Sequence, residues 1–555
     1  MSNRETPILH ETCEYFCNAL VYWVSASNRR CIYLHIKLLC RMTNSINDEF
    51  IYDSVPYPSF VFPQTHPDRL ATLAAFYNLL APDVKNNRIL ELGCGDGTNL
   101  LAHAYAIPSA QFVGIDLSTV HIDVANSSKQ KLKLQNIEFI QADVTELSLS
   151  ELGKFDFIIA HGLFSWVPEP VREHILRIYR ECLAENGIGY ISYNALPGCH
   201  IRQISNGIMK YAGRNLASPI DKVSKGKSAI NFIAKAASAD SVYQNMLTLE
   251  LQQISERTES NVFHDDIAEF NQPFYFHEFN DLLGENGLRY LCEAEPTHAM
   301  EKELSAETKE MLHKLTDDPI EREQYRDFIV GRRFRSSLIC HESNVERVDL
   351  INSLFDEMLI ATQLETDASE SMLLDDSPVV FISPKAIKIT LNHPITKVAL
   401  ATVNTNWPRA IGFSDLLSRL ETAIGKASTA AELEMLRSYL SQLYLSGLVK
   451  LHRYQADFIV KVSEKPTANA FARFQVERGS KTVTTMTGTN LEPEYPAIKE
   501  LIRLLDGTRT RDQLVVDIID FAKNEDIDTI ASPDETLEMI ESNLETMAYA
   551  GLLIA

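Results

Sequence analysis

The sequence contains no C-x-x-C pair and no histidine cluster, and its nine cysteines fall at spacings that do not complete a zinc site. Cys13 and Cys17 form an i, i+4 pair with no partner histidines nearby. No metal is therefore expected, and the thiols read as reduced cytosolic cysteines. No apolar run approaches the ~18 residues that span a bilayer. The first residues also lack the basic, apolar and small-residue layout of a signal peptide. The expectation is a cytoplasmic protein without membrane insertion. Positive charge is short as well: 52 Lys and Arg face 75 Asp and Glu, a formal net charge of −23. Such a surface repels a phosphate backbone, so nucleic acid is not an expected partner. A basic substrate is favoured, although acidity serves solubility equally well.

What is present is a long chain. At 555 residues it exceeds what one hydrophobic core holds, and three or four domains are expected. Residues 1–50 read as an N-terminal extension. The part before Met42 carries four of the nine cysteines and a net charge of +2. It is either dispensable, as from an upstream reading of the start codon, or a helix docked through Tyr22, Trp23, Ile32 and Ile36.

Strand and helix signals alternate from about residue 88. RILEL, QFVGID (111–116), IEFIQAD (137–143), FDFIIAH (155–161) and GIGYISYN (187–194) read as strands. Between them lie TNLLAHAYA, a helix capped by Ser118, and a helix opened by Pro168 and Pro170. This spacing predicts an α/β fold with a Rossmann-like parallel sheet over 51–199 and helices on both faces. Residues 200–277 read as a helical insertion. Residues 278–345 return to the sheet, with strand candidates in 278–295 and 332–342 around a second insertion. The acidic, Ser-rich ETDASESMLLDDSP (365–378) places a linker at 346–384. Beyond it, LRSYLSQLYLSGLVKL and IESNLETMAYAGLLIA repeat in apolar spacing and in a Gly-Leu ending, each preceded by a further helical segment. They predict two mainly helical, winged-helix-like C-terminal modules at 385–465 and 466–555. Residues 385–463 carry net +5 and residues 496–555 net −8. The first could bind DNA, but that shape more often makes protein contacts.

The loop after the first strand reads ELGCGDGTN. A dinucleotide site wants G-x-G-x-x-G with a helix N-terminus facing pyrophosphate. Here the spacing is Gly93, Gly95, Gly97, and Thr98 stands where a third glycine belongs. Glu91 would repel a pyrophosphate but attract an ammonium, which S-adenosylmethionine has. Asp116 ends the second strand, where a carboxylate accepts from ribose hydroxyls. Asp143 ends the third, within reach of an adenine amino group, with the Val144 N–H beside it. His161 and Gly162 come to the rim after the fourth. Any one acid is a weak signal, but the four together favour S-adenosyl-L-methionine.

ELGCGDGTN, GIDLS, QADV and the fifth strand resemble the class I S-adenosylmethionine-dependent methyltransferases. YDSVPYPSFVFPQTHPDRL, HGLFSWVP, YISYNALPG, NQPFYFHEF and FRSSLICHE further resemble those with a methyltransferase regulatory domain, in particular the outer-membrane-protein lysine methyltransferases of obligate intracellular bacteria. The resemblance spans about residues 51–555 and is sharpest between 52 and 342. It implies a class I methyltransferase sheet, a homodimer, a role in bacterial virulence, and a bacterial surface protein methylated on lysine as the substrate. Carried over, it makes Glu91, Gly93, Cys94, Gly95, Gly97, Asn99, Asp116, Leu117, Asp143, Val144, His161 and Gly162 the cofactor shell. Cys94 is then a small loop residue and not a nucleophile.

Lysine must lose a proton before it attacks, from a reference pKa near 10.4. A water-poor aromatic slot lowers that pKa, and aromatic faces stabilise the methylammonium product. Tyr193, Trp166 and Asn194 on the strands' carboxyl side are expected as catalytic residues, and so is Tyr57, which with Tyr52 lies in the segment before the first strand that could fold over the cofactor as a lid. Phe164, Trp166, Tyr275 and His277 are expected around the substrate. Each aromatic could instead be core packing, and Phe60 and Phe62 read as lid packing. No Asn/Asp-Pro-Pro-Tyr/Phe follows the fourth strand and no Pro-Cys occurs, which counts against base methylation. The basic run Arg332, Arg333 and Arg335 reads as a solvated or acid-paired strand face. The alternatives are a small-molecule or RNA methyltransferase, or a catalytically weak cofactor-binding interaction protein.

Overall fold

In RILEL, Ile89 and Leu90 point to opposite faces of one sheet, and both are fully buried. That pattern requires cover on both sides, and the fold supplies it. The computed structural model describes residues 60–268, 270–301, 303–344, 354–525 and 532–555. The expected extension, the start-site alternative, Tyr52 and Tyr57 lie outside the described residues.

Strands β1 (Arg88–Leu92), β2 (Gln111–Asp116), β3 (Ile137–Gln141), β4 (Phe155–Ala160) and β5 (Leu183–Asn194) are parallel to their neighbours. With β6 (Leu288–Glu293) and β7 (Phe334–His341) they form one seven-stranded sheet in the order β3-β2-β1-β4-β5-β7-β6. β7 runs antiparallel to both β5 and β6. The chain moves outward from β1 to β3, then crosses to β4 on the other side of β1. Such a reversal opens a crevice at the carboxyl ends of β1 and β4. Helices α1 (Pro67–Phe76), α2 (Thr98–Ala106), α3 (Thr119–Leu132) and α4 (Glu169–Cys182) cover the sheet.

The expected helical insertion contains α5 (Gly198–Gly213), α6 (Pro219–Ala236) and α7 (Val242–Ser255). After α8 (Phe276–Glu285) and β6, the second insertion supplies α9 (Ala306–Leu315) and α10 (Pro319–Val330). The arginine run that follows is acid-paired. Arg335 is fully buried and donates to Glu293, Asp327 and Glu323, at 2.8–2.9 Å. Arg332 pairs with Asp327 and Glu303, and Arg333 with Glu250.

The expected linker is corrected in part. Within 346–384 the chain forms β8 (Leu359–Thr362) and β9 (Val379–Ile382). β8 is the central strand of a small sheet with β11 (Ile411–Gly412) and β12 (Val449–His452). β9 pairs with β10 (Lys388–Leu391). The acidic stretch itself folds over the ammonium of Lys397, which donates to the carbonyls of Met372, Asp375 and Ser377. Helices α11 (Pro394–Asn406), α12 (Phe413–Ile424) and α13 (Ala430–Leu445) complete this module. Its core is continuous with one face of the large sheet, from Ile89, Phe112 and Phe157 to Phe355, Leu416 and Leu440. Much of its positive charge is used internally: besides Lys397, Arg437 pairs with Asp356, Arg453 with Glu357 and Lys426 with Glu432.

The second module packs α14 (Ala470–Glu477), α15 (Pro496–Leu504), α16 (Arg511–Asn524) and α17 (Pro533–Tyr549) around Leu501, Leu514, Ile518 and Leu544. In its last residues, Leu553 forms a bridge with Ala468. No helix among the described residues is long and apolar enough to cross a membrane.

Candidate functional site

The glycine loop joins β1 to α2 at the crevice. Gly93, Gly95 and Gly97 all take positive φ, at 69°, 54° and 75°. At Gly97 the need is also spatial, since a Cβ would stand 2.5 Å from the Phe139 ring. A Cβ at Gly95 or Gly162 would meet nothing within 4 Å. These backbones therefore border open space that a bound molecule can approach.

Glu91 lies under the loop and is buried. Its Oε1 accepts from Asn99 Nδ2 at 2.8 Å. Its Oε2 is buried and has no hydrogen-bond partner among the described residues. Burial pushes the carboxyl up to about 8, against the opposing bond from Asn99. An ammonium beside Oε2 would restore the charged form, and S-adenosylmethionine carries one. The residues present therefore fit that cofactor. Asn99 also accepts from the Phe62 backbone N–H at 2.9 Å, which ties the segment before α1 to the loop.

Asp116 caps the end of β2. One oxygen accepts from Gly95 N at 2.8 Å and the other from Ser118 N at 2.9 Å, which leaves each a further lone pair. Leu117 beside it is 46 % exposed, an apolar side chain at the rim. Asp143 accepts from the N–H and hydroxyl of Thr145 and caps the turn that Val144 opens. The Cys94 thiol is buried, and burial raises its pKa, so it stays protonated.

After β4 the crevice is lined differently from expectation. His161 Nδ1 lies 2.9 Å from the hydroxyl of Tyr190, which donates to Ser336 Oγ at 3.0 Å. Burial lowers the imidazole pKa to about 4, so His161 is neutral at pH 7. Phe62 lies against the His161 ring at 3.9 Å between centroids. Gly162 N donates to Ser192 Oγ at 2.7 Å. Tyr190 and Ser192 were not expected in the site, and Phe62 was expected only as lid packing. The signal was available: strand periodicity puts Tyr190, Ser192 and Asn194 on one face of β5 and Tyr193 on the other.

Two expected residues are corrected on this ground. Tyr193 is buried on the opposite face, stacked on Phe279 at 4.1 Å. Phe164 is fully buried between Phe274 and Phe279. Both are packing groups here. Their motifs do converge, however, through Ser165. Its Oγ accepts from Asn194 N at 2.9 Å, and its carbonyl accepts from Gln272 N at 2.8 Å. Asn194 in turn donates through Nδ2 to Asn271 and accepts at its carbonyl from Phe274 N. HGLFSW, the end of β5 and NQPFYF thus form one wall. Trp166 is half-buried in it. Tyr275 is half-buried farther along, stacked with the exposed His277 at 5.7 Å and bonded to His200 at 3.1 Å.

Three family models match the chain: a methyltransferase domain over 83–254, a predicted methyltransferase regulatory domain over 258–341, and the PKMT C-terminal winged helix domain over 464–550. Protein RP789 of Rickettsia prowazekii is 30 % identical over 496 residues, covering 87 % of this chain and 88 % of that one. RP028 of the same organism is 34 % identical over 242 residues, 43 % of this chain and 95 % of that one. The structure of PKMT2 from Rickettsia typhi in complex with AdoHcy superposes with a TM-score of 0.77 at 26 % identity, covering 90 % of this chain and all of the other.

Proposed function

We propose that this chain, which belongs to the S-adenosylmethionine-dependent methyltransferases carrying a methyltransferase regulatory domain, transfers methyl groups to lysine side chains of a protein. Its cofactor is S-adenosyl-L-methionine. The reading of the acceptor is carried by one observation: the likeness to PKMT2 of Rickettsia typhi covers 90 % of this chain, including the modules beyond the sheet. A small substrate needs no such platform. The outer-membrane or surface protein expected from the resemblance remains our proposed substrate, and a homodimer our proposed assembly. The exposure of Tyr211, Phe232, Val242 and Leu249 on α5 to α7, at 68, 70, 86 and 62 %, supports the dimer.

When bound, S-adenosylmethionine supplies the methyl group and a sulfonium leaving group. The chain's own residues bind, orient and exclude water. We assign Glu91 to the ammonium, with Gly93, Cys94, Gly95, Gly97 and Asn99 shaping the loop. Asp116 takes the ribose hydroxyls, Leu117 and Val144 flank the adenine, Asp143 accepts from its amino group, and His161 and Gly162 form the floor. At the acceptor side we keep Trp166 and Asn194 and add Tyr190, whose hydroxyl fixes the neutral His161. Tyr275 and His277 receive the incoming polypeptide. Desolvation in the aromatic-lined crevice would lower the acceptor lysine's pKa, so that the amine, its proton lost to solvent, would displace the thioether from the methyl carbon in line.

The test is transfer of labelled methyl groups to cell-envelope proteins, followed by mass spectrometry of the labelled positions. Methylated lysine is the expected result. Label on nucleic acid or a small molecule, with none on lysine, would overturn the proposal.

A further inference from the structure

The second C-terminal module lies against the cofactor loop, and its contacts fall on residues that shape the site. Arg478, which ends α14, donates through Nη2 to Asp96 Oδ2 at 2.9 Å. Asp96 sits between Gly95 and Gly97, and its other oxygen accepts from Thr98 N at 3.1 Å. The Arg478 tether thus holds the middle of the loop, between two residues in the left-handed region. A second contact reaches the segment before α1. Asn490 Nδ2 donates to the carbonyl of Val61 at 2.8 Å. The next residue, Phe62, donates to Asn99, and Asn99 donates to Glu91. A line of hydrogen bonds therefore runs from the module to the buried carboxylate. A third contact joins Ala470 N to the hydroxyl of Tyr105 on α2, at 2.9 Å.

We propose that the C-terminal module sets cofactor affinity, with Arg478 and Asn490 as positioning residues that hold the loop and the Phe62–Asn99–Glu91 line in binding geometry. The module is therefore coupled to the cofactor: a partner that bound and displaced it would loosen the cofactor, and cofactor binding would tighten the module by the same factor. The inference rests on the cofactor and not on the identity of the acceptor.

The Arg478–Asp96 pair is partly wet. The two side chains are 34 and 11 % exposed, beside a groove of about 290 Å³ lined by Ser127, Lys131 and Phe474. Salt screens such a pair, and its expected effect is modest. The experiment measures AdoHcy binding to the full chain by calorimetry, without any acceptor, for Arg478→Ala, Arg478→Lys, Asn490→Ala and Arg509→Ala. Arg509 pairs with Asp506 and Asp517 inside the same module and does not touch the loop. Arg478→Ala and Asn490→Ala should each raise Kd roughly threefold to fivefold. Arg478→Lys should recover most of the loss, and Arg509→Ala should leave Kd unchanged. The gap between wild type and Arg478→Ala should close at about 0.5 M salt. Melting of the unliganded variants separates lost positioning from lost folding. Unchanged Kd in Arg478→Ala, or an equal loss in Arg509→Ala, would overturn the proposal. Neither result depends on whether lysine accepts the methyl group.

Discussion

Asn99 donates to Glu91 at 2.8 Å. One amide, on the first turn of α2, thereby fixes the orientation of a carboxyl group that lies wholly out of water at the end of β1. The bond opposes the burial that raises the Glu91 pKa but does not cancel it.

A pH dependence follows. The Glu91 pKa moves from its ordinary 4.5 in the unfolded chain to about 8 in the folded one. Between those values the folded protein keeps a proton that the unfolded chain has lost, so stability falls as pH rises through that window. Stabilisation from this group is full below the lower value. AdoHcy prefers the ionised form, so its affinity should rise with pH up to about 8, with proton release on binding. Calorimetry in buffers of different ionisation enthalpy measures that proton. Glu91→Gln should bind weakly and without this dependence.

Tyr190 and Tyr193 separate chemistry from packing. Tyr190→Phe removes the contacts to His161 and Ser336, and turnover should fall about fivefold to tenfold, in line with one or two lost hydrogen bonds. Tyr193→Phe should leave turnover within about twofold, because that ring serves the core. Tyr193→Ala should cost about 3 kcal/mol or more of stability from the cavity it leaves. Steady-state kinetics and denaturant melts measure the two effects, and a large turnover loss in Tyr193→Phe would return that residue to the reaction.

Arg335 is fully buried among three carboxylates. Arg335→Ala leaves Glu293 without its ion-pair partner and takes one cation each from Asp327 and Glu323, which keep Arg332 and Arg326, and the expected loss is about 3 kcal/mol. Urea unfolding gives the number. A loss below 1 kcal/mol would show that water enters to solvate the carboxylates.

The proposed dimer predicts that Phe232→Glu combined with Leu249→Glu yields monomers in sedimentation velocity, with AdoHcy affinity retained, since neither side chain lies near the glycine loop. A dimer that survives both changes would place the interface elsewhere.

The sheet, and the strand ends that carry the proposed cofactor shell, were legible because each signal is local. Strands β1 to β4 are short apolar runs and β5 ends in one, and Glu91, Asp116 and Asp143 stand at or just beyond strand ends. What escaped was long-range or two-sided. β8 has four residues, and its ladder partner β12 lies almost ninety residues later, so nothing in the neighbourhood of LIAT announces a central strand. The acidic stretch after it resembled a linker because its order comes from backbone carbonyls around Lys397, which composition does not record. Tyr193 was expected in the site because it stands at the strand's end, and Tyr190, three residues earlier, was not. Alternation along β5 places the two on opposite faces, and only the face toward His161 serves the crevice.

Strand β7 is the last of the large sheet's strands along the chain and sits between β5 and β6. Until residue 341 has been synthesised, β6 has no neighbour in the sheet and β5 presents an open edge. A nascent or truncated chain that ends before Phe334 therefore exposes a row of unpaired backbone groups, the feature that drives strand-edge aggregation. For the cell, this makes completion of the regulatory segment a condition for releasing a sheet with that edge closed.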